Sequence, residues 1–205
     1  MFALVESGSI TKMLNGNRGI TLNDLQYPRA IYTLWTEAER NAINIYTVEI
    51  DETNKKDEKW YINTDITYAF GSGKVTGSYG SATAKAHADT TWTQDDEDNG
   101  DLPDDKSVGD VKVEGLKTTL IRTVKAQAAG ELAKTDWYIT RKSEKNTAIP
   151  SAITTHRDLI RSRQAAMETS ITNASDTPAL ETLYTYTTDS DGVQSRPLPE
   201  IPTLD

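Results

Sequence analysis

An α+β fold, strands first and helices last, is what this sequence predicts, and three observations predict it. The first ninety positions read mostly as strands, with period-two alternation clearest over residues 60–79. After position 111 the apolar residues recur at spacings of three and four. Between these regimes, positions 95 to 105 hold seven carboxylates together with Gly100 and Pro103. The expected organisation is an antiparallel β-rich domain over 1–90 and an acidic linker over 91–110. A helical hairpin with a short third helix and an extended Pro-rich tail follows over 111–205.

The elements follow in order. The segments FALVES and SITKML flank Gly8 in a Ser-Gly-Ser turn and read as a hairpin. NGNRG punctuates the chain before ITLNDLQYP. Thr36 is a good N-cap, and Glu37 and Glu39 suit the positive end of a helix dipole, which predicts a short helix near 36–42. INIYTVEI, 43–50, reads as a strand. In WYINTDITYAF, Trp60, Ile62, Ile66, Tyr68 and Phe70 share one parity, the mark of a half-buried strand, which Gly71-Ser72-Gly73 turns into KVTGSYG.

Farther on, Val113, Leu116, Leu120, Ile121, Val124, Ala128 and Leu132 form the stripe of a helix reaching to about 134, with Gly130 weakening its last turns. A polar gap separates it from a second helix begun at Pro150 and marked by Ile153, Ile160, Met167 and Ile171 down to about 173. SDTPALETLY, with Asp176 or Thr177 as cap, gives the third. Neither long helix is stable alone in water, so an antiparallel pairing is expected. The proline spacing of RPLPEIPTLD excludes helix and central strand. That tail is expected to be extended, lying on a surface or reaching a partner, with Pro197 and Pro199 as contact candidates.

Composition narrows the chemistry. Cysteine is absent, which excludes disulfides, thiolate nucleophiles and zinc-thiolate sites. His87 and His156 are the only histidines, too few for a histidine-rich metal centre. MFALVESGSI lacks the basic leader and apolar core of a signal peptide, and no run approaches 18 apolar residues, so a soluble protein without membrane contact is expected. A net charge of −9 argues against nucleic acid. The charge is uneven: residues 111–163 carry eleven basic and five acidic side chains, net +6, and the rest of the chain is −15. This asymmetry favours internal docking or a charge-complementary protein partner; self-association stays open.

Candidate sites divide as follows. GSGKVTG lacks the glycine five residues before Gly73 that a phosphate loop requires, since position 68 is Tyr68, and a strand turn accounts for it. Asp95, Glu97, Asn99 and Asp101 fall at positions one, three, five and seven of a calcium loop. Lys106 stands where the bidentate glutamate belongs, so a solvated acidic loop is expected and no metal. No catalytic constellation or Gly-rich cofactor loop stands beside the acids, so neither an enzyme nor a cofactor is expected. Trp137 and Tyr138, close to Arg141, Lys142, Arg157 and Arg161, are the remaining feature. The expectation is that Trp137 plugs the open end of the helical hairpin with the arginines as a solvated collar; the functional alternative is a protein-binding hot spot.

The stretch LAKTDWYITRKSE…AIPSAITTHRDLIRSR also resembles the C-terminal module of phage tail assembly chaperones, including tail-fibre assembly proteins. That family shows a helix, a Thr-Asp-Trp stop, a polar gap, a proline, and a helix with Tyr-Arg-x-x-Leu-Arg. Here the stop is Thr135-Asp136-Trp137 and the proline Pro150. The arginines are Arg157 and Arg161, with Ile160 in the Leu place and His156 where the family usually has tyrosine. The resemblance spans about 112–200 and includes a Pro-rich end. It implies a non-enzymatic protein that engages a tail or tail-fibre protein in the host cytoplasm during assembly. The alternative is a structural tail, baseplate or fibre component retained in the virion.

Overall fold

In the computed structural model, which describes residues 1–204, the chain begins with β1 (Phe2–Glu6), β2 (Ser9–Leu14), β3 (Ile20–Leu22) and β4 (Leu25–Tyr27). Next come α1 (Ile31–Leu34), α2 (Glu37–Asn41), β5 (Ile45–Asp51), β6 (Tyr61–Ile62), β7 (Ile66–Gly71), β8 (Lys74–Tyr79) and β9 (Thr83–Ala84). Two compact units meet in the chain at Thr83 and Ala84. The fold class is α+β.

In the first unit, Ser7-Gly8 and Ser72-Gly73 are two-residue turns with positive φ at both positions, a geometry that matches the twist of the strands they join. Thr36 and Glu39 exchange side-chain and backbone hydrogen bonds in a full capping box at the start of α2. The main sheet has the order β2-β1-β5-β8-β7, and its edge strands β2 and β7 approach each other, so it is curled. Ala3, Val5, Val48 and Val75, flanked by Ile10, Tyr46, Tyr68 and Phe70, form one apolar cluster. A second cluster, Leu4, Leu14, Ile31, Tyr32 and Ile45, packs α1 on the sheet.

Two expectations for this unit are corrected. The sheet is not wholly antiparallel, because β5 and β8 pair in parallel. β7 starts at the end of the sheet where β5 stops, and the tight turn folds β8 back into the place beside β5. The long alternating strand is also broken. Trp60 is buried, but Ile62 lies exposed and residues 63–65 leave the ladder. There the Asn63 side chain bonds both backbone groups of Lys56 at 2.8 Å, and Thr64 Oγ1 accepts the Gly80 N–H at 2.7 Å. Polar side chains take the place of ladder partners, an alternative that alternation of apolar residues does not reveal.

The second unit contains β10 (Thr90–Thr91), α3 (Gln94–Asp98), β11 (Val111–Val113), α4 (Leu116–Ala133), α5 (Asp136–Lys145), α6 (Ser151–Asn173), α7 (Thr177–Tyr184), β12 (Thr187–Thr188) and β13 (Gln194–Ser195). α4 and α6 pack antiparallel: Lys117 Nζ reaches the Thr172 carbonyl at one end, and Arg157 reaches the Leu132 carbonyl at the other. Leu120, Val124 and Ala128 are buried on α4, and Ile153, Ile160, Met167 and Ile171 on α6, as the spacing predicts. Asp176 accepts the Ala179 N–H at 2.8 Å and starts α7, whose Leu180 is fully buried. Among the described residues no helix is long and apolar enough to cross a membrane.

The expected linker is structured instead. β10 pairs with β11 across it, and α3 lies between them under a Thr93–Asp96 capping box. The acids are tolerated because three of them occupy the first turn of α3, where the helix dipole favours negative charge. Val113 therefore belongs to β11, and α4 begins only at Leu116 behind Gly115. The Lys112 ammonium, then the Thr93 N–H and hydroxyl, hold Asp96 down at about 2, below its ordinary value of 3.8. A carboxyl depressed in the folded state stabilises above its unfolded value, and that stability is lost as pH falls through the folded one. Asp96→Asn should lower the melting temperature at pH 7, and the difference from the parent should shrink between pH 4 and pH 2. A constant difference across that range would refute the contribution.

The tail is also a correction of the free-arm alternative. Leu198 is buried and its N–H donates to the Leu183 carbonyl at 3.0 Å. Arg196 lies over the Tyr184 and Tyr186 rings and pairs with Glu200 at 3.3 Å. Pro197 and Pro199 flank Leu198 and restrict the backbone around it, Pro197 exposed and Pro199 half-buried. The proline stretch is a strap laid back onto α7.

Candidate partner-binding site

The expected polar gap between the two long helices contains α5. Asp136 stands in its first turn, Lys142 and Lys145 in its last, and Asn146 closes it in the left-handed region at φ 52°. These are ordinary start and stop signals. They are hidden in the sequence by how few apolar residues the helix carries.

Arg157 is what joins α5 to the hairpin. Only 8% of it is exposed, and its Nη1 donates to the Leu132 carbonyl at 2.8 Å and Thr135 Oγ1 at 2.6 Å. It also pairs with Asp136 Oδ1 at 2.9 Å. The Thr135 hydroxyl in turn donates to Leu132 O at 3.0 Å, and Thr135 is almost fully buried. Leu132 O is one of the last carbonyls of α4, at a negatively polarised helix end, and already accepts the Thr135 N–H at 3.1 Å. A guanidinium placed there adds a charge-assisted hydrogen bond to that carbonyl and, through Asp136, ties down the start of α5. Arg157 is thus a structural lock rather than a contact exposed to a partner. Arg161 is exposed and paired with Asp158 at 3.2 Å, one turn away on the same helix.

Trp137 overturns the plug expectation. It is 51% exposed, and the end of the hairpin is closed by Thr135 and Arg157 instead. The reason is phase: Thr135 and Asp136 turn toward Arg157, which leaves Trp137 on the solvent side of α5, with Tyr138 half-buried beside it. The Trp137 and Tyr138 rings stack with centroids 3.7 Å apart at 31°, and the Arg141 guanidinium lies 4.8 Å and 5.1 Å from their centroids. Ile139 is 43% exposed beside them. The spacing of Trp137 and Arg141, one helical turn, is the signal that would have placed them together had α5 been recognised. Trp, Tyr and Arg are the residue types most enriched at binding hot spots, and here all three form one preformed surface cluster.

The remaining candidates lie elsewhere. Asp95 and Glu97 sit on α3 and Asn99 caps its end, so their side chains fan around a helical turn. Asp101 follows that cap, its N–H bonded to the Asp96 carbonyl at 2.8 Å. Among the described residues no three carboxylates or imidazoles converge as metal ligands. His156 is half-buried on α6 and its Nε2 has no hydrogen-bond partner. Compared with models of known families, with curated proteins and with solved structures, the chain matches none.

Proposed function

We propose that this chain is a non-enzymatic assembly factor that binds a phage tail or tail-fibre protein through the exposed face of α5. The observation that carries the reading is the Trp137–Tyr138–Arg141 cluster, half out in water and held rigid by its own stacking. An aromatic pair already fixed in place loses little conformational freedom on binding, so burying it is favourable. The phage assignment rests on the resemblance through Thr135-Asp136-Trp137, Pro150, Arg157 and Arg161. Thr135, Asp136 and Arg157 support it physically, since they are the groups that set α5 in position.

The test is capture of a tail-fibre protein on co-expression. Trp137→Ala with Tyr138→Ala should weaken capture at least about 30-fold, the loss expected of a hot spot worth 2 kcal/mol or more. Trp137 is exposed and Tyr138 half-buried, so the loss of stability should stay within about 1 kcal/mol. Undiminished capture by the doubly substituted chain would remove α5 as the contact. Arg161→Ala, in a side chain already engaged with Asp158, should leave capture nearly unchanged.

A further inference from the structure

A separate cavity of about 240 Å³ opens in the first unit, between the end of β2, the turn that follows it and α1. Leu14, Ile20 and Tyr32 form its apolar floor, and Lys12 and Arg18 line it with no carboxylate among its walls. In a chain of net charge −9 that is an unusual local excess of positive charge. Lys12 and Arg18 have no ion-pair partner among the described residues, whereas Lys55 and Lys74 of the same unit are paired with Glu52 and Glu49. Tyr32 is 8% exposed and packs on Phe2 at 4.9 Å, and its hydroxyl makes no hydrogen bond to the described residues.

The turn that forms one wall is held in place. Gly16, at φ 71°, lies so close to the Phe2 and Tyr32 rings that a Cβ there would stand 3.1 Å and 3.3 Å from them. At Gly19 a Cβ would run into the Tyr27 carbonyl. Asn15 Oδ1 accepts the Asn17 N–H at 3.3 Å across the turn. A wall pinned at both ends by backbone close to neighbouring atoms is preformed, so a ligand need not order it.

We infer that this pocket receives an amphipathic carboxylate, its apolar body against Leu14 and Ile20 and its anionic head between Lys12 and Arg18, with the Tyr32 hydroxyl free to donate. Burial raises the Tyr32 phenol above its ordinary value, which keeps it a donor throughout the physiological range. The volume fits a body of one aromatic or short aliphatic group. Such a ligand is either the C-terminal residue of a peptide or a free organic acid. The pocket is built from the first unit alone and shares no residue with α5.

The experiment is a titration of the full chain followed by amide NMR shifts, at low salt. N-acetylphenylalanine represents a peptide terminus and hexanoate a free acid, with N-acetylphenylalaninamide and inorganic phosphate as comparisons. Either carboxylate should bind saturably with a dissociation constant of about 1 mM or lower, the range for a well-seated fragment. The shifts should be confined to residues 12–20 and 32, and the tighter carboxylate identifies the source. Lys12→Gln with Arg18→Gln should weaken binding at least about tenfold, as loss of charge-assisted hydrogen bonds requires, and Lys55→Gln should not. Equal binding of the neutral amide would overturn the anionic head, equal binding of phosphate would overturn the apolar body, and no saturable shift with either carboxylate would overturn the site.

Discussion

Arg157→Ala should lower the stability of the helical unit by about 2–4 kcal/mol, seen as an earlier loss of helical circular dichroism in urea. The substitution leaves the Leu132 carbonyl and the Thr135 hydroxyl buried with one partner fewer each. Most of the effect comes from these two groups, because Asp136 is 59% exposed at its side chain and water screens its charge. Arg157→Lys should recover only part of the loss, since a single ammonium on a shorter reach cannot match the guanidinium geometry. Arg161→Ala, one turn away on the surface, should change stability by no more than about 0.5 kcal/mol. If Arg157→Ala and Arg161→Ala proved equally mild, the lock at the end of the hairpin would not exist.

Gly115→Ala should be comparably damaging, by about 3 kcal/mol, although alanine is the better helix former. Gly115 caps the start of α4, and a Cβ there would overlap the backbone of Ala88, at a separation that real Cβ atoms essentially never show. The contact is tight because the chain on either side is tied together. Leu116 N–H donates to Ala86 O and Lys117 N–H to His87 O, each at 3.0 Å. The Asp89 carboxylate accepts the Gly115 N–H at 2.7 Å and the Thr118 hydroxyl at 2.8 Å, which together hold its titration below the ordinary carboxylate value. Forcing a methyl group between these two segments breaks several of the bonds at once. Gly130→Ala is the contrast: nothing lies within 4 Å of its Cβ position, in the interior of α4, so it should stabilise by about 0.5–1 kcal/mol. The pair of substitutions, measured by the same urea titration, separates steric overlap from helix propensity. A neutral Gly115→Ala would mean that the backbone of residues 86–89 yields freely.

The seams of α4 and α6 were legible because burial of one helix face imposes a period near 3.6 whatever the partner, and Leu120, Val124, Ile160, Met167 and Ile171 obey it. The hairpin at Ser72-Gly73 and the cap at Thr36 were legible because backbone conformation there depends on the residues themselves. α5 was not, since a helix with few apolar residues has no period to display, and its position depends on Arg157, twenty-one residues beyond Asp136.

By itself, then, the sequence determined the α+β class, the turns, the caps and the two apolar helix faces, all consequences of local backbone preference and of which side chains avoid water. Only the tertiary structure decided that β8 lies parallel beside β5, that residues 90–113 join the helical unit, and that Arg157 is buried while Trp137 is exposed. Those outcomes turn on long-range hydrogen bonds and helix phase. A basic side chain is equally compatible with solvent and with a carbonyl at a helix end, and the choice is made only when the two helices meet.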